Sequence, residues 1–261
     1  MLINQLTIGY GKETVQQNLN LTIRGGEMVC VLGKNGCGKS TLLRTLAGLQ
    51  PPLGGSCTMP DGRQVREMTE REKAQHVAIV LTERLSVDKA MVEDVVAMGR
   101  YPYSDWLGVL TDSDKTQIDK ALNNTEMAHK RKSFFNELSD GEKQRVLIAK
   151  ALAQQTPYIF LDEPTAHLDL PNRIKTLLLL RKLAQEENKA VVISTHELDL
   201  ALQTADIIWL MTPHQGITIG TPEKLVENGD FQRAFTDEHF TFVPTNGTLR
   251  IHIRDNRSIL S

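Results

Sequence analysis

The run GKNGCGKS, Gly33 to Ser40, narrows most what this chain can become. It follows a short apolar run, EMVCVL at 27–32, and precedes a helical stretch from Ser40 to Leu49. Its glycines suit neither a helix start nor a strand, so the chain must turn there, between the two elements. The pattern G-x-x-x-x-G-K-[ST] in a strand–turn–helix context is that of a phosphate-binding loop. Glycines let the backbone curl so that successive N–H groups face one anion, and the following helix adds its positive end. Gly33, Asn35, Gly36, Cys37, Gly38 and Thr41 are therefore candidate contacts to a nucleotide's phosphates. Lys39 can reach the β- and γ-phosphates, and the Ser40 hydroxyl can ligate Mg²⁺. An ordinary glycine-rich turn does not account for strand, full motif and helix coinciding.

The rest of the chain supplies a frame for that loop. Residues 2–8 and 19–23 read as strands around GYGKET, and 77–81 reads as another buried strand. YIFLD (158–162) and AVVIS (190–194) are short apolar runs with a helix at 171–187 between them. Strand–helix–strand alternation predicts a parallel sheet. IIWLM (207–211) adds a possible strand to it. Between about 85 and 155 the pattern turns helical, with helices over 92–99, 111–129 and 141–154. From about 212 to 261 a C-terminal extension ends in alternating residues around TNGT, the signature of a β-hairpin. The expectation is a single α/β domain over 1–261 with a helical part inserted in its core.

Three further runs carry chemistry. YIFLDE brings Asp162 and Glu163 out at the C-terminal end of a buried strand, where parallel sheets place their ligands. Asp162 would hold Mg²⁺ through its shell, and Glu163 would polarise an attacking water; the plainer reading is that one acid merely caps the next turn of chain. AVVISTHE ends a third strand in His196, which could sense a γ-phosphate or serve only in packing. LSDGEKQRV places Ser139 and Gly141 before a helix whose Val146, Ile148, Ala149 and Leu152 suit a buried face. Ser139 is either an N-cap or part of a second phosphate site at that helix N-terminus.

Composition bounds the classes. The 261 residues are 40% apolar and 24% charged, as in an ordinary globular protein. A net charge of -2 lacks the basic surplus of a nucleic-acid binder, so no such partner is expected. No apolar run approaches the roughly 20 residues of a membrane span, and MLINQLTI does not read as a signal peptide. Cys30, Cys37 and Cys57 form no CxxC pair, which suits a reduced cytoplasmic protein without structural zinc. Cys37, inside the loop, is expected to be accessible; Cys30, within a core strand, is not.

Taken together, these runs resemble the ATP-binding subunit of an ABC transporter over essentially the whole chain. GKNGCGKST looks like its Walker A, YIFLDE its Walker B, PTAHLD (164–169) its D-loop, THE its switch histidine, and LSDGE its signature, usually LSGGQ. The resemblance implies a P-loop ABC cassette: a RecA-like core, an N-terminal antiparallel β part and a helical signature subdomain at about 85–155. It implies ATP and Mg²⁺ as ligands, Glu163 and His196 as catalytic residues, and a head-to-tail homodimer. The signature of one copy, with Ser139, Gly141 and Glu142, would then cover the γ-phosphate held by the other. Asp140 and Glu142 depart from the usual Gly and Gln, and their carboxylates are expected to turn away from the phosphate. Tyr10 matches the aromatic that stacks on adenine, or is a half-buried strand tyrosine. Where the family has a metal-contacting glutamine, VLTER offers Glu83, or Thr82 in the alternative register.

The subfamily signal lies in VEDVVAMGRYPY (92–103) and Trp106, which resemble importers of iron–siderophore, haem and cobalamin chelates. Tyr101, Tyr103 and Trp106 form either a packing cluster or a docking groove for a cytoplasmic helix of a membrane subunit. The implied partners are a second copy, two integral-membrane permease subunits and, indirectly, a substrate-binding protein. The implied place is the cytoplasmic face of a bacterial membrane. An exporter ATPase or a soluble ABC ATPase is the alternative, although no inserted coiled coil fits between Walker A and the signature.

Overall fold

The computed structural model describes residues 1–82, 87, 89–105, 108–213, 216–236, 240–245 and 248–253. The chain opens with an antiparallel pair, β1 (Leu2–Tyr10) and β2 (Glu13–Thr22), then enters β3 (Met28–Leu32) and, past the glycine loop, α1 (Lys39–Leu46). β4 (Gly54–Thr58) returns to pair with β1, giving a three-stranded sheet ordered β2-β1-β4. α2 (Glu70–His76) leads into β5 (Val77–Val80). The helical part continues as α3 (Val92–Ala97), α4 (Asp112–Asn124) and α5 (Asp140–Ala153). β6 (Tyr158–Asp162), α6 (Leu170–Glu187), β7 (Ala190–Ser194), α7 (Leu198–Thr204) and β8 (Ile207–Thr212) then alternate. The chain continues through β9 (Gly216–Gly220), α8 (Pro222–Glu227), α9 (Asp230–Phe235) and the antiparallel pair β10 (Phe240–Thr245) and β11 (Thr248–Ile253).

The main sheet has six strands ordered β5-β6-β7-β3-β8-β9. All its pairings are parallel except β8–β9. β3, β6 and β7 are buried at every position, which is why they read as unbroken apolar runs. Alternate residues feed two cores. Cys30, Leu32, Ile193, Ile208 and Leu210 pack with α3 to α6, whereas Val29, Val31, Trp209 and Met211 pack with α1 and the β1–β2–β4 sheet. The expected buried face of α5 is present, with Val146, Ile148 and Ala149 fully inside and Leu152 nearly so.

Three differences from the sequence reading have physical causes. β4, sequence GGSCT, carries almost no strand propensity; its place is set by pairing with β1. β9 comes directly after β8 and pairs with it antiparallel, so residues 216–220 form an edge strand of the main sheet that local pattern did not show. Three helices are shorter than their apolar periodicity suggested: α1 stops at Leu46, α3 passes into a 3-10 turn at Met98, and α4 ends at Asn124. The hairpin's Asn246–Gly247 turn lies outside the described residues, as do Glu83 and Trp106.

The helical part is pinned by one buried ion pair. Arg100 and Asp114 are each about 5% exposed, with Arg100 Nε 2.7 Å from Asp114 Oδ1. The guanidinium also donates to the Ala153 carbonyl at 2.7 Å and to Gln155 Oε1 at 2.8 Å, and it stacks over the Tyr103 ring at 4.2 Å. The MGRYPY turn is thereby bolted to the end of α5 and the start of α4. Tyr103 donates to the Gln154 carbonyl at 2.9 Å, whereas Tyr101 is 62% exposed.

Candidate functional site

The strand order explains the site. β6, β7 and β3 are consecutive neighbours, so the segments leaving their C-terminal ends converge: Asp162 and Glu163 after β6, His196 after β7, and the glycine loop after β3. They meet at a cleft of about 640 Å³ lined by Tyr10, Val15, Asn35, Gly36, Gly38, Lys39, Ser40, Thr41, Glu163 and His196, while Asp162 is buried and does not line it. That volume lies within the range of small-molecule sites.

The loop folds for local reasons. Gly36 and Gly38 have φ of +80° and +106°, a region side chains disfavour, and a Cβ on Gly38 would meet the Val15 side chain at 2.5 Å. α1 then begins at Lys39, so its N-terminus faces the cleft. Lys39 Nζ rests against the Gly33 and Lys34 carbonyls at 3.0 and 3.4 Å. Its ammonium is buried and paired with carbonyl oxygens alone in these two bonds, which keeps it available to an anion. Thr41 Oγ1 donates to the Tyr10 hydroxyl at 3.0 Å, holding an exposed tyrosine at the rim of the cleft.

Two of the loop's candidate contacts lie beneath it. Gly33 and Cys37 do not line the cleft. Gly33 is pressed against the end of β8, where a Cβ would come within 2.4 Å of the Met211 carbonyl and 2.6 Å of Cys37 Sγ. Cys37 is 2% exposed, and burial pushes its thiol up from the ordinary value despite the nearby Lys39. The expected accessibility of Cys37 is therefore corrected: the side chain turns inward into the second core. Native protein exposed briefly to a maleimide should show no adduct on Cys37 or Cys30 by mass spectrometry, with or without MgATP. Labelling of Cys37 before unfolding would show that the loop opens.

The carboxylates are held closely. Asp162 Oδ1 accepts from Ser40 Oγ at 3.0 Å and from Ser194 Oγ at 2.5 Å, and its backbone carbonyl accepts from Thr82 Oγ1 at 3.0 Å. Glu163 sits at φ +49°, rare for a residue with a side chain and costing about 1–2 kcal/mol. Its N–H donates to the Ser194 carbonyl at 3.1 Å and to Ser194 Oγ at 3.0 Å. Glu163 Oε2 lies 3.6 Å from His196 Nδ1. This arrangement leaves a part-exposed carboxylate and an imidazole side by side on the wall of the cleft.

Ser40 and Asp162 suit Mg²⁺, a hard cation that takes oxygen ligands, keeps several waters and usually binds through one or two carboxylates plus substrate phosphates. Among the described residues no cluster of three or more His, Cys, Asp or Glu side chains is poised for a metal. Glu83 lies outside the described residues; the neighbouring Thr82 reaches the Asp162 carbonyl.

The signature residues are elsewhere. Ser139, Gly141 and Glu142 form the first turn of α5 and do not line the cleft. Ser139 caps the helix: its Oγ accepts from the Glu142 N–H at 3.3 Å, and the Glu142 carboxylate accepts from the Ser139 N–H and hydroxyl at 2.9 Å each. Those bonds, with Lys130 at 3.5 Å, hold the Glu142 carboxyl below its usual value. Glu142 thus turns back on its own helix. The D-loop is tied to the switch segment through Thr165 Oγ1 to Glu197 Oε1 at 3.1 Å, and Arg173 of α6 pairs with the same carboxylate at 3.3 Å.

Sequence reasoning missed two residues here. Ser194 ends β7 with its hydroxyl on the Asp162 carboxylate and the Glu163 N–H. Gln16, 1% exposed, donates to the Cys37 and Thr212 carbonyls at 3.2 and 2.8 Å and accepts from Gly216 N–H at 3.1 Å. A glutamine in the strand QQNLNL carries no signal of burial; only the approach of β2 to the loop and to β9 puts it inside.

Comparison with known proteins agrees with this geometry. The ABC transporter family matches residues 16–166. An uncharacterized ABC transporter ATP-binding protein of Methanocaldococcus jannaschii is 41% identical over 222 residues, covering 85% of this chain and 76% of the relative. The petrobactin import ATP-binding protein of Bacillus anthracis is 37% identical, covering 85% and 81%. Among solved structures, a metal-chelate type ABC transporter in an inward-facing conformation superposes with a TM-score of 0.79 at 29% identity, over 97% of this chain and 96% of that one. A dimeric ATP-binding cassette holding ADP and Pi after hydrolysis gives 0.71 at 25% identity, over 85% and 98%. With its phosphate loop, paired carboxylates and histidine gathered at three adjacent strand ends, this chain belongs to the ABC transporter ATP-binding family and is an ATP-hydrolysing cassette.

Proposed function

We propose that the chain is the ATPase subunit of an importer for a metal chelate, of the iron–siderophore, haem or corrinoid class, working on two separate membrane subunits. The observation that carries the ATPase half is the convergence of Lys39, Ser40, Glu163 and His196 on one cleft, with the signature turn of α5 left outside it. A cassette so divided is complete only when a second copy brings its Ser139 and Gly141 to the γ-phosphate. The importer half is supported by the similarity to a petrobactin import protein and to a metal-chelate type transporter. No helix among the described residues is long and apolar enough to cross a membrane, so the reading places the chain peripherally, against a permease on the cytoplasmic face. The exposed Tyr101, braced by the Arg100 network, is the anchor assigned to that contact.

In this reading the glycine-loop N–H groups and Lys39 bind the phosphates, and Tyr10 carries the adenine. Bound Mg²⁺, held by Ser40 and through Asp162, would neutralise charge on the β- and γ-phosphate oxygens. Glu163 orients and polarises the attacking water, and His196 contacts the γ-phosphate beside it. Co-purification tests the importer half: the chain should leave the membrane with a multi-span permease, and vesicles carrying both and the matching binding protein should take up a chelate. Recovery with nucleic acid instead would overturn it.

The signature assignment has its own test. Ser139→Ala removes both the cap and the phosphate hydroxyl. Loss of the cap costs about 1 kcal/mol, whereas ATP binding to the monomer should be unchanged. In the slow-hydrolysing Glu163→Gln background, gel filtration with MgATP should show much less dimer than for Glu163→Gln alone. An identical dimer fraction would leave Ser139 with capping only.

A further inference from the structure

We infer that Ser194 is a positioning residue for hydrolysis, a single hydroxyl that sets both carboxylates of the site; this rests on the reading of Asp162 as the metal-side and Glu163 as the water-side group. Ser194 is fully buried at the last position of β7, directly across from Asp162 in the β6–β7 ladder. A serine hydroxyl has one proton and two lone pairs. Here the proton goes to Asp162 Oδ1 at 2.5 Å, and a lone pair accepts the Glu163 N–H at 3.0 Å. The same carboxylate oxygen takes the Ser40 hydroxyl at 3.0 Å, so two hydroxyls together hold that oxygen in place. The bond to a charged acceptor is of the stronger kind.

The second bond has a separate consequence. Glu163 stands at φ +49°, which its own backbone does not favour. Its N–H is shared between the carbonyl and the hydroxyl of Ser194, at 3.1 and 3.0 Å. Those two acceptors hold the peptide in the turn that sends the Glu163 side chain toward the cleft and to within 3.6 Å of His196. Without the hydroxyl, one anchor is lost and the Glu163 carboxylate samples other directions. The strand itself does not depend on the hydroxyl. The parallel ladder of β7 with β6 and β3 is made by backbone groups, and alanine would fill the same space less one oxygen. The hydroxyl therefore acts on the two acids more than on the fold.

The experiment compares Ser194→Ala, Ser194→Cys, Glu163→Gln and native full-length protein in steady-state ATPase assays, with a magnesium titration and a melting curve for each. Ser194→Ala should lower kcat by about 10–100-fold, the usual effect of removing a group that orients a ligating or catalytic side chain. KM for MgATP should stay within about threefold, because the glycine loop and Lys39 are untouched, and half-maximal rate should need more Mg²⁺. Ser194→Cys, of similar shape but a weaker donor, should fall between. A native kcat in Ser194→Ala, beside an inactive Glu163→Gln, would overturn the inference and leave the site reading standing. A Glu163→Gln protein as active as native would overturn that reading and this inference with it. A kcat loss matched by a rise in KM and a lowered melting temperature would show a general loss of fold and also overturn it. Should Ser194→Ala not fold, Ser194→Cys decides by the same split: reduced kcat at native KM supports the assignment, and native kcat removes it.

Discussion

Glu163→Gln is expected to bind MgATP as the native protein does and to hydrolyse almost none of it. The substitution keeps size and shape and leaves the backbone N–H on Ser194, so the unusual φ of residue 163 persists. The phosphate loop, Lys39, Ser40 and Asp162 are unaltered. Only the carboxylate beside His196 is lost, and with it the group able to polarise water at the cleft's edge. Removing such a group costs about 10²–10⁴-fold in kcat. A nucleotide-binding titration and a single-turnover assay separate the two steps, and an ATP-stabilised dimer should accumulate on gel filtration. Hydrolysis at the native rate would move the water-activating role to another residue.

Asp114→Ala is expected to have the largest effect on stability. Asp114 accepts from Arg100 Nε through Oδ1 at 2.7 Å, and its Oδ2 accepts from the Thr111 hydroxyl and N–H at 2.6 and 2.9 Å. Truncation leaves a buried guanidinium without its counter-charge and removes the half of the α4 capping box in which the Asp114 carboxylate holds Thr111. Breaking a buried pair in this way costs about 3–5 kcal/mol, a melting shift of about 10 °C for a chain of this size. Basal ATPase measured well below the melting point should change little, because the pair is remote from the cleft. Burial alone would raise the Asp114 pKa, but the bonds from Thr111 and Arg100 outweigh it and hold the carboxyl below its ordinary value. With the folded value depressed, the pair's stabilisation is present above the unfolded carboxyl's pKa of about 4. It is lost as pH falls below that and through the folded value. The stability gap between native and Asp114→Asn should therefore narrow in acid. A gap independent of pH would mean that Asp114 does not act as an anion.

How far the sequence reaches can be judged residue by residue. β3, β6 and β7 were legible because a strand buried on both faces must be apolar throughout, and α5 because its inner face repeats with the helix period. Lys39, Ser40, Asp162, Glu163 and His196 were legible because phosphate chemistry requires those residue types directly after such strands. β4, Gln16 and Ser194 were not. Each acts through a neighbour distant in sequence: Gln16 bonds carbonyls 21 and 196 positions away, and Ser194 bonds a carboxylate 32 positions away. Cys37 was misjudged for a related reason. A loop motif states which backbone groups converge but not which side chain turns under it, and here Val15 and the end of β8 fill one side and leave the thiol facing the core.

The sequence by itself determined the chemical groups available to this protein: a curled N–H cradle with its lysine, a hydroxyl, two acids and a histidine, each tied to a strand or turn by local rules of periodicity and backbone freedom. The tertiary structure alone decided that these groups meet. The order β6-β7-β3 is a matter of pairing between strands far apart in the chain, Met28 with Val191 for one, which no local pattern encodes. It sets three strand ends side by side, puts the Ser194 hydroxyl on the Asp162 carboxylate and the Glu163 N–H, and keeps the first turn of α5 out of the cleft. The reason is physical. Local propensity acts over a few residues, whereas hydrogen bonds between strands and the closing of two cores around one sheet select among the arrangements that propensity leaves open.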